Sequence, residues 1–536
     1  MSAHRAAGDV RPNRQVATDS LGWAPAAVVG VIAAAVAFVA IHAWLPGTND
    51  PDSMSSVLYF QRIAAGQHLE VTVLTAPKPL LTLVFGVTWN LVHDWRAIVW
   101  ETIAIHGIGV ALAARLASRV GGRAAGLCVA AALIASAPEL AEVSQANSLP
   151  WAFAGWAAAG LAVTSEPRRF GIAGVALLLA GMARFETWLI VGAATAIVVM
   201  LTIPAVRSRA SGWPRPSAAL PILAGLLAVP VQLLHDYLLT GNALYWLSVA
   251  DAYTVLVRPG LEPISALAYL HGLVNRYGTM PLLVLLAILG LAHLVTTRRW
   301  AVLVGLAGLI GGVLVLLGGL AVRGTFISPR YYEEPGLGLI LLASVGIGAI
   351  VSLVAGMVPR PTLAVGARGA GLIAAVALGI ALSLPGPFTS QLESRFNIQQ
   401  SASADLEAVM PRLRQIMESV REPAPPAAPA KKGFTVVDPK RATAYVPRAL
   451  QRRIAVELDV ALTMLADPTA ASVIARPERL LVAGQYVYHD INVDVPRAWF
   501  SGLEVSKETP LGKLRVVPLA YKPGTYWLVQ VRAPAP

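Results

Sequence analysis

From residue 23 to about residue 387 the chain alternates long apolar runs with short polar breaks, and beyond that point runs of helix length stop. A spanning helix needs about 20 predominantly apolar residues. By that measure the candidate spans are 23–45, 97–116, 124–138, 149–163, 170–183, 187–204, 218–239, 280–295, 301–322, 336–357 and 369–387. That makes about eleven. One further stretch, 79–92, is apolar but short, which suits an interfacial or re-entrant helix better than a crossing. Glycines at 305, 308, 311 and 312 predict close packing of the ninth span against a neighbour.

Composition agrees with lipid as the solvent. Apolar residues make up 56% of the 536, charged residues only 13%, and mean hydropathy is +0.62. A soluble domain carries about 25% charged residues. Charge then orients the helices. With 79–92 not crossing, one side receives Arg5, Arg11, Arg14, Arg115, Arg119, Arg123, Arg168, Arg169, Arg207, Arg209, Arg215, Arg298, Arg299, Arg360 and Arg368. The other receives only Arg62, Lys78, Arg96, Arg184, Arg258, Arg276, Arg323 and Arg330, although its loops are longer. The positive-inside rule therefore places the N-terminus in the cytoplasm and the C-terminus outside. The net charge of +12 is explained largely by this bias, and no basic patch interleaved with aromatics predicts a nucleic-acid partner. Cys128, alone of its kind, excludes an internal disulfide. The first run is too long for a signal-peptide core and reads as an uncleaved span.

The last quarter is different. A helix is predicted over 405–420, a Pro/Ala-rich extended linker over 421–430, and strands within 434–437, 480–488 and 514–531, with Pro523-Gly524-Thr525 as a hairpin turn. A second helix falls near 450–465. The expected division is a cytoplasmic tail, 1–22, a transmembrane domain, 23–388, a helix and linker, 389–433, and a small extracytoplasmic α+β domain, 434–536.

Chemistry is expected where the outward loops meet: 46–96, 139–148, 184–186, 240–279 and 323–335. In the first of these, apolar residues at 54, 57, 58, 60/61 and 64/65 predict an amphipathic surface helix, with Asp52 or Ser53 as its N-cap. Ionisable residues inside spans are functional suspects, since each costs about 2.5–3.5 kcal/mol at a helix centre. Glu101, His106, His235 and Asp236 are of this kind, with satisfied interhelical hydrogen bonds as the plainer alternative.

Six short motifs stand in order on the outward side. They are Asp52-Ser53, Pro77-Lys78-Pro79-Leu80, Ser136-Ala137-Pro138-Glu139, Arg184-Phe185-Glu186, Thr240-Gly241-Asn242-Ala243-Leu244-Tyr245 and Ser328-Pro329-Arg330-Tyr331-Tyr332. Over residues 23–360 the chain thereby resembles the GT-C membrane glycosyltransferases, in the branch of the protein O-mannosyltransferases, the aminoarabinose transferases and family-39-like bacterial enzymes. That branch usually reads Asp-Glu where this chain has Asp52-Ser53.

The resemblance implies a GT-C-like fold and an inverting transfer from a polyprenyl-phosphate sugar to a hydroxyl acceptor in the cell envelope, in the lipid bilayer of a bacterial inner membrane. It implies Asp52 as the base, with Asp50 as its rival, and Lys78, Arg330, Arg184 and Arg258 as donor-phosphate ligands. Glu139, Glu142, Glu186, Asn242, Tyr245, Tyr331, Glu101 and His106 are substrate-binding candidates. No cofactor is expected, and Ser53 leaves a divalent metal an open question. A transporter of lipid-linked sugars and a non-catalytic scaffold are the alternatives.

Overall fold

The computed structural model describes residues 20–43, 51–71, 76–205, 215–252, 280–322, 333–358 and 361–383, the single residues 410, 414 and 424, and segments 428–429, 435–437, 442–446, 448–466, 482–484, 507–509, 512–521 and 526–532. In chain order the helices are α1 (Trp23–Ala43), α2 (Pro51–Ala64), α3 (Pro79–Val92), α4 (Trp95–Ile134), α5 (Ala137–Ser144), α6 (Leu149–Thr164), α7 (Phe170–Ala183) and α8 (Thr187–Met200). They continue as α9 (Pro216–Thr240), α10 (Tyr245–Ala252), α11 (Met280–Thr296), α12 (300–322), α13 (Glu333–Met357), α14 (Pro361–Leu382) and α15 (Arg448–Leu458). The protein is a mostly helical, polytopic membrane protein.

Every apolar stretch read from the sequence falls on a helix. Six helices, within α1, α4, α9, α12, α13 and α14, are long and apolar enough to cross a membrane by length and composition. Their outward faces carry exposed Val31, Val315, Leu353 and Ile373, as lipid contact requires. At 14 residues each, α7 and α8 are no longer than α3. Length therefore does not separate α3 from its neighbours, and the argument for holding it at the interface rests on charge alone.

The 40-residue α4 is a hairpin rather than one rod. Gly122 interrupts it with φ 83° and ψ 176°, a conformation open essentially to glycine alone. A Cβ on Gly126 would lie 2.7 Å from the Ala114 carbonyl oxygen and from the Ser118 Cβ. Residues eight to twelve apart on a straight helix stand roughly 12–18 Å apart, so the chain must turn back on itself at Gly122. The two predicted spans 97–116 and 124–138 are its two arms.

Small residues let helices approach where no hydrophobic drive exists in lipid. Gly290 of α11 lies against the backbone of Leu342 in α13, and Gly346 of α13 lies against Leu286. The glycines of α12 meet the packing expectation only in part. Those at 308 and 312 face Ile190 and Leu189 of α8, whereas Gly305 and Gly311 face open space.

In the last quarter the strands are β1 (Ala428–Pro429), β2 (Thr435–Val436), β3 (Ala444–Tyr445), β4 (Leu465–Ala466), β5 (Val482–Gly484), β6 (Lys507–Thr509), β7 (Gly512–Tyr521) and β8 (Tyr526–Arg532). The last four form an antiparallel sheet in the order β5-β8-β7-β6. β3 runs parallel to β4, and β1 pairs with β2, so part of the expected linker belongs to a short ladder. Helix α15 ends earlier than predicted, where Asp459 adopts φ 51°. Of the predicted helix over 405–420, only Met410 and Arg414 are described, both helical, and the turn 523–525 lies outside the described residues.

This segment is built onto the membrane domain. Ile454, Ala455 and Val456 of α15, with Leu462, Met464 and Leu465, share one apolar cluster with Met54, Val57 and Leu58 of α2 and with Trp95 and Ile98 of α4. The Arg453 guanidinium lies 5.2 Å from the centroid of the Trp95 ring. Replacing the fully buried Ile454 by Ala should cost about 2–5 kcal/mol and loosen the support of α2. A lowered Tm of the purified full chain, with faster proteolysis around residues 51–64, is the expected result.

Candidate functional site

Helix α2 opens with Pro51, whose fixed φ suits the first helical position. Asp52 follows in the first turn, where the helix dipole favours an anion. The periodicity predicts one buried face, but Ser53, Ser55, Ser56 and Tyr59 are buried along with Met54, Val57 and Leu58. The extra burial has a tertiary cause: α2 is enclosed by α3, α9 and α15. Its last residues, Ala64 and Ala65, are exposed.

Lys78 stands just before α3, in extended conformation with Pro79 behind it. Its Nζ lies 4.0 Å from Asp52 Oδ2, and both side chains are largely buried, at 18% and 10% exposure. This separation exceeds a direct hydrogen bond, so the two opposite charges face each other with little between them. Two residues 26 positions apart are thus brought together by the turn from α2 into α3.

What fixes Lys78 is the outer end of α9. Gln232 Nε2 donates to the Pro77 carbonyl at 3.2 Å and to Asp236 Oδ1 at 2.7 Å. Asp236 Oδ2 accepts from the Trp246 backbone N–H at 2.7 Å, which anchors the start of α10. Three residues further on, the Leu239 carbonyl accepts from Leu69 N–H at 2.8 Å and ties down the segment after α2. Asp236 is therefore the satisfied interhelical group of the plainer reading, with His235 Nδ1 3.8 Å from it. Gln232 was not anticipated, because an amide near a helix end carries no distinguishing pattern.

A second polar cluster is fully buried. Arg184, between α7 and α8, pairs with Glu186 at 3.3 Å and with Glu334 in the first turn of α13. The charges of Glu186 and Glu142 also act on Glu334. A guanidinium expected at the donor phosphate is thus already engaged by two carboxylates. Glu333 and Glu334, both buried, escaped the sequence reading; two adjacent acids at the mouth of an apolar span were the available signal.

The remaining candidates fall as follows. Ser136 caps α5 by accepting from Glu139 N–H at 3.4 Å, and Glu139 and Glu142 are both buried on that helix. Asn242 Oδ1 accepts from Leu244 N–H at 3.0 Å, which closes the turn after Gly241, so its carbonyl serves the backbone. Tyr245 is buried at the base of α10. Glu101 accepts from the Thr88 hydroxyl and links α4 to α3, away from the Asp52–Lys78 pair. His106 is buried in α4, and its Nε2 has no hydrogen-bond partner among the described residues. Asp50, Arg258, Arg330 and Tyr331 lie outside the described residues. Among the described residues, no group of three or more His, Cys, Asp or Glu has the arrangement of a metal site.

No protein-family model and no curated protein matches the chain. Among solved structures it is similar to apo ArnT from Cupriavidus metallidurans, at 13% identity and TM-score 0.47, over 86% of this chain and 89% of that one. The same enzyme bound to undecaprenyl phosphate aligns at 12% identity and TM-score 0.46, over 95% and 98%. The oligosaccharyltransferase AglB from Archaeoglobus fulgidus, in complex with an inhibitory peptide and a dolichol-phosphate, aligns at 12% identity and TM-score 0.45 over 83% of this chain. This chain spans only 64% of the length of AglB. ArnT and AglB are GT-C enzymes. At these identities and TM-scores the similarity does not by itself assign an activity.

The buried Arg184 cluster yields a prediction. Arg184→Met strips the counter-charge from Glu186 and Glu334 and should destabilise the protein by about 3–5 kcal/mol. Adding Glu334→Gln should restore part of that loss, so that the double variant is less destabilised than the single effects predict. Chemical denaturation of the four proteins in detergent measures the cycle.

Proposed function

We propose that this protein is a glycosyltransferase that moves a sugar from a polyprenyl-phosphate donor to a hydroxyl acceptor on the outer face of the membrane, with inversion at the anomeric carbon. The observation that carries the reading is the largely buried Asp52–Lys78 pair at 4.0 Å, carried by two short helices beside the membrane-length bundle. The six outward motifs support it.

The chemistry follows from the charges. An acceptor hydroxyl is a poor nucleophile, and Asp52 takes its proton as the oxygen bonds to the anomeric carbon. The bond from that carbon to the phosphate oxygen breaks, and its electron pair leaves with the polyprenyl phosphate. Lys78 stabilises the negative charge that develops on the leaving phosphate. Attack from the face opposite the phosphate inverts the configuration. Arg330 and Arg258 are further donor-phosphate ligands in this reading. Arg184 serves instead to hold Glu186 and Glu334.

The reading also carries the topology: N-terminus in the cytoplasm of a bacterial cell, eleven crossings of its inner membrane, and the domain from 434 outside. The shared core of α15 with α2 supports it, since the C-terminal segment then lies on the same side as Asp52.

The test uses purified protein in nanodiscs with a panel of polyprenyl-phosphate sugars and a cell-envelope extract as acceptor, following free polyprenyl phosphate. One donor should turn over, and Asp52→Asn should slow its release by about 10²–10⁴-fold while donor binding persists. Lys78→Met should weaken donor binding and slow release together. Full turnover by Asp52→Asn, or no release from any donor, would sink the assignment in favour of a transporter or scaffold.

A further inference from the structure

Within the bundle, running from near Glu334 to the α6–α7 connection, lies a cavity that the reaction does not use. This cavity of about 170 Å³ opens between α4, α6, α7, α8, α9, α12 and α13. Phe153, Trp156 and Val163 line it along α6, Ile190 along α8 and Leu337 along α13. On α6 alone it extends for roughly 15 Å. One end lies one helical turn from Glu334, and the other reaches Arg168, between α6 and α7. Arg168 is the one charged residue among the described residues that line it.

Arg168 does not stand alone at that mouth. Arg299 precedes α12, and the charges of Arg119 and Arg168 act on it, with Glu166 as the opposing group. Three guanidiniums against one carboxylate leave a positive excess where the apolar cavity opens. Arg299 is half-buried and Arg168 exposed, so the charge can meet a ligand from the bilayer surface. Of the glycines lining it, Gly305 leaves room for a side chain, since a Cβ there would meet nothing within 4 Å.

We propose that this cavity and its arginines form a binding site for an anionic glycerophospholipid, with the phosphate at Arg168 and Arg299 and an acyl chain between the helices. Charge complementarity selects the occupant. A basic pocket between membrane helices takes anionic headgroups, and a neutral lipid brings no net negative charge to the arginines. The polyprenyl donor is disfavoured because its phosphate belongs at Lys78, on helices that meet the other end of the bundle. The site stands independently of the proposed reaction.

Native mass spectrometry of the full chain, released from nanodiscs of equal phosphatidylglycerol and phosphatidylcholine, tests it. Wild type should retain phosphatidylglycerol in clear excess. Arg168→Gln and Arg299→Gln should each cut that excess about fivefold. Gly305→Leu, which fills open space, should lower retention of both lipids while leaving the Tm unchanged. Equal retention of the two lipids by wild type, or an excess that survives the double arginine variant, overturns the proposal. So does polyprenyl phosphate, added as competitor, being retained at the same site in preference to phosphatidylglycerol.

Discussion

A hydrocarbon solvent offers backbone groups no hydrogen-bond partners, and everything else in this protein follows from that constraint. It forces the apolar two-thirds of the chain into helices, because only a helix satisfies its own amides within one segment. It also removes the hydrophobic drive between those helices, so that close approach at Gly290 and Gly346 does the work that burial does in water. Charge is pushed to helix ends or into pairs. The two polar clusters beside α2, α3, α5, α8 and α13 are the outcome.

These clusters differ in kind. Arg184 is spent on Glu186 and Glu334, all three fully enclosed, and the arrangement locks α13 to the α7–α8 turn. Asp52 and Lys78 stand 4.0 Å apart and each keeps some exposure. The outer end of α9 makes that possible. Through Gln232, Asp236 and Leu239 it holds the chain on either side of the pair, so the two short helices are tied to α9. The C-terminal segment completes the enclosure by packing on Met54, Val57 and Leu58 of α2.

The same geometry separates the two ends of the bundle. Carboxylates and one lysine gather where α2 and α3 sit, and arginines gather where α6 gives way to α7 and α11 to α12. In the proposed reaction the first end supplies the proton and phosphate chemistry. The second, with an apolar cavity behind it, is built for a headgroup and a chain.

The helices, their order and the placing of Asp52 in the first turn of α2 were legible in the sequence, because apolar run length, proline and charge act locally and additively along the chain. The tight reversal inside α4 was legible only as two runs, since one glycine at φ 83° suffices for a turn that sequence shows as a short gap. Other features were not legible at all. Gln232 reaches Pro77 across 155 positions, Glu334 meets Arg184 across 150, and α15 docks on α2 from nearly 400 residues away. Such contacts depend on how helices cross and rotate, which small residues at distant positions decide together. The sequence by itself determined which segments form apolar helices and which acid opens α2. Only the tertiary structure decided which charges face one another, because pairing in a low-dielectric interior is set by distance and not by type.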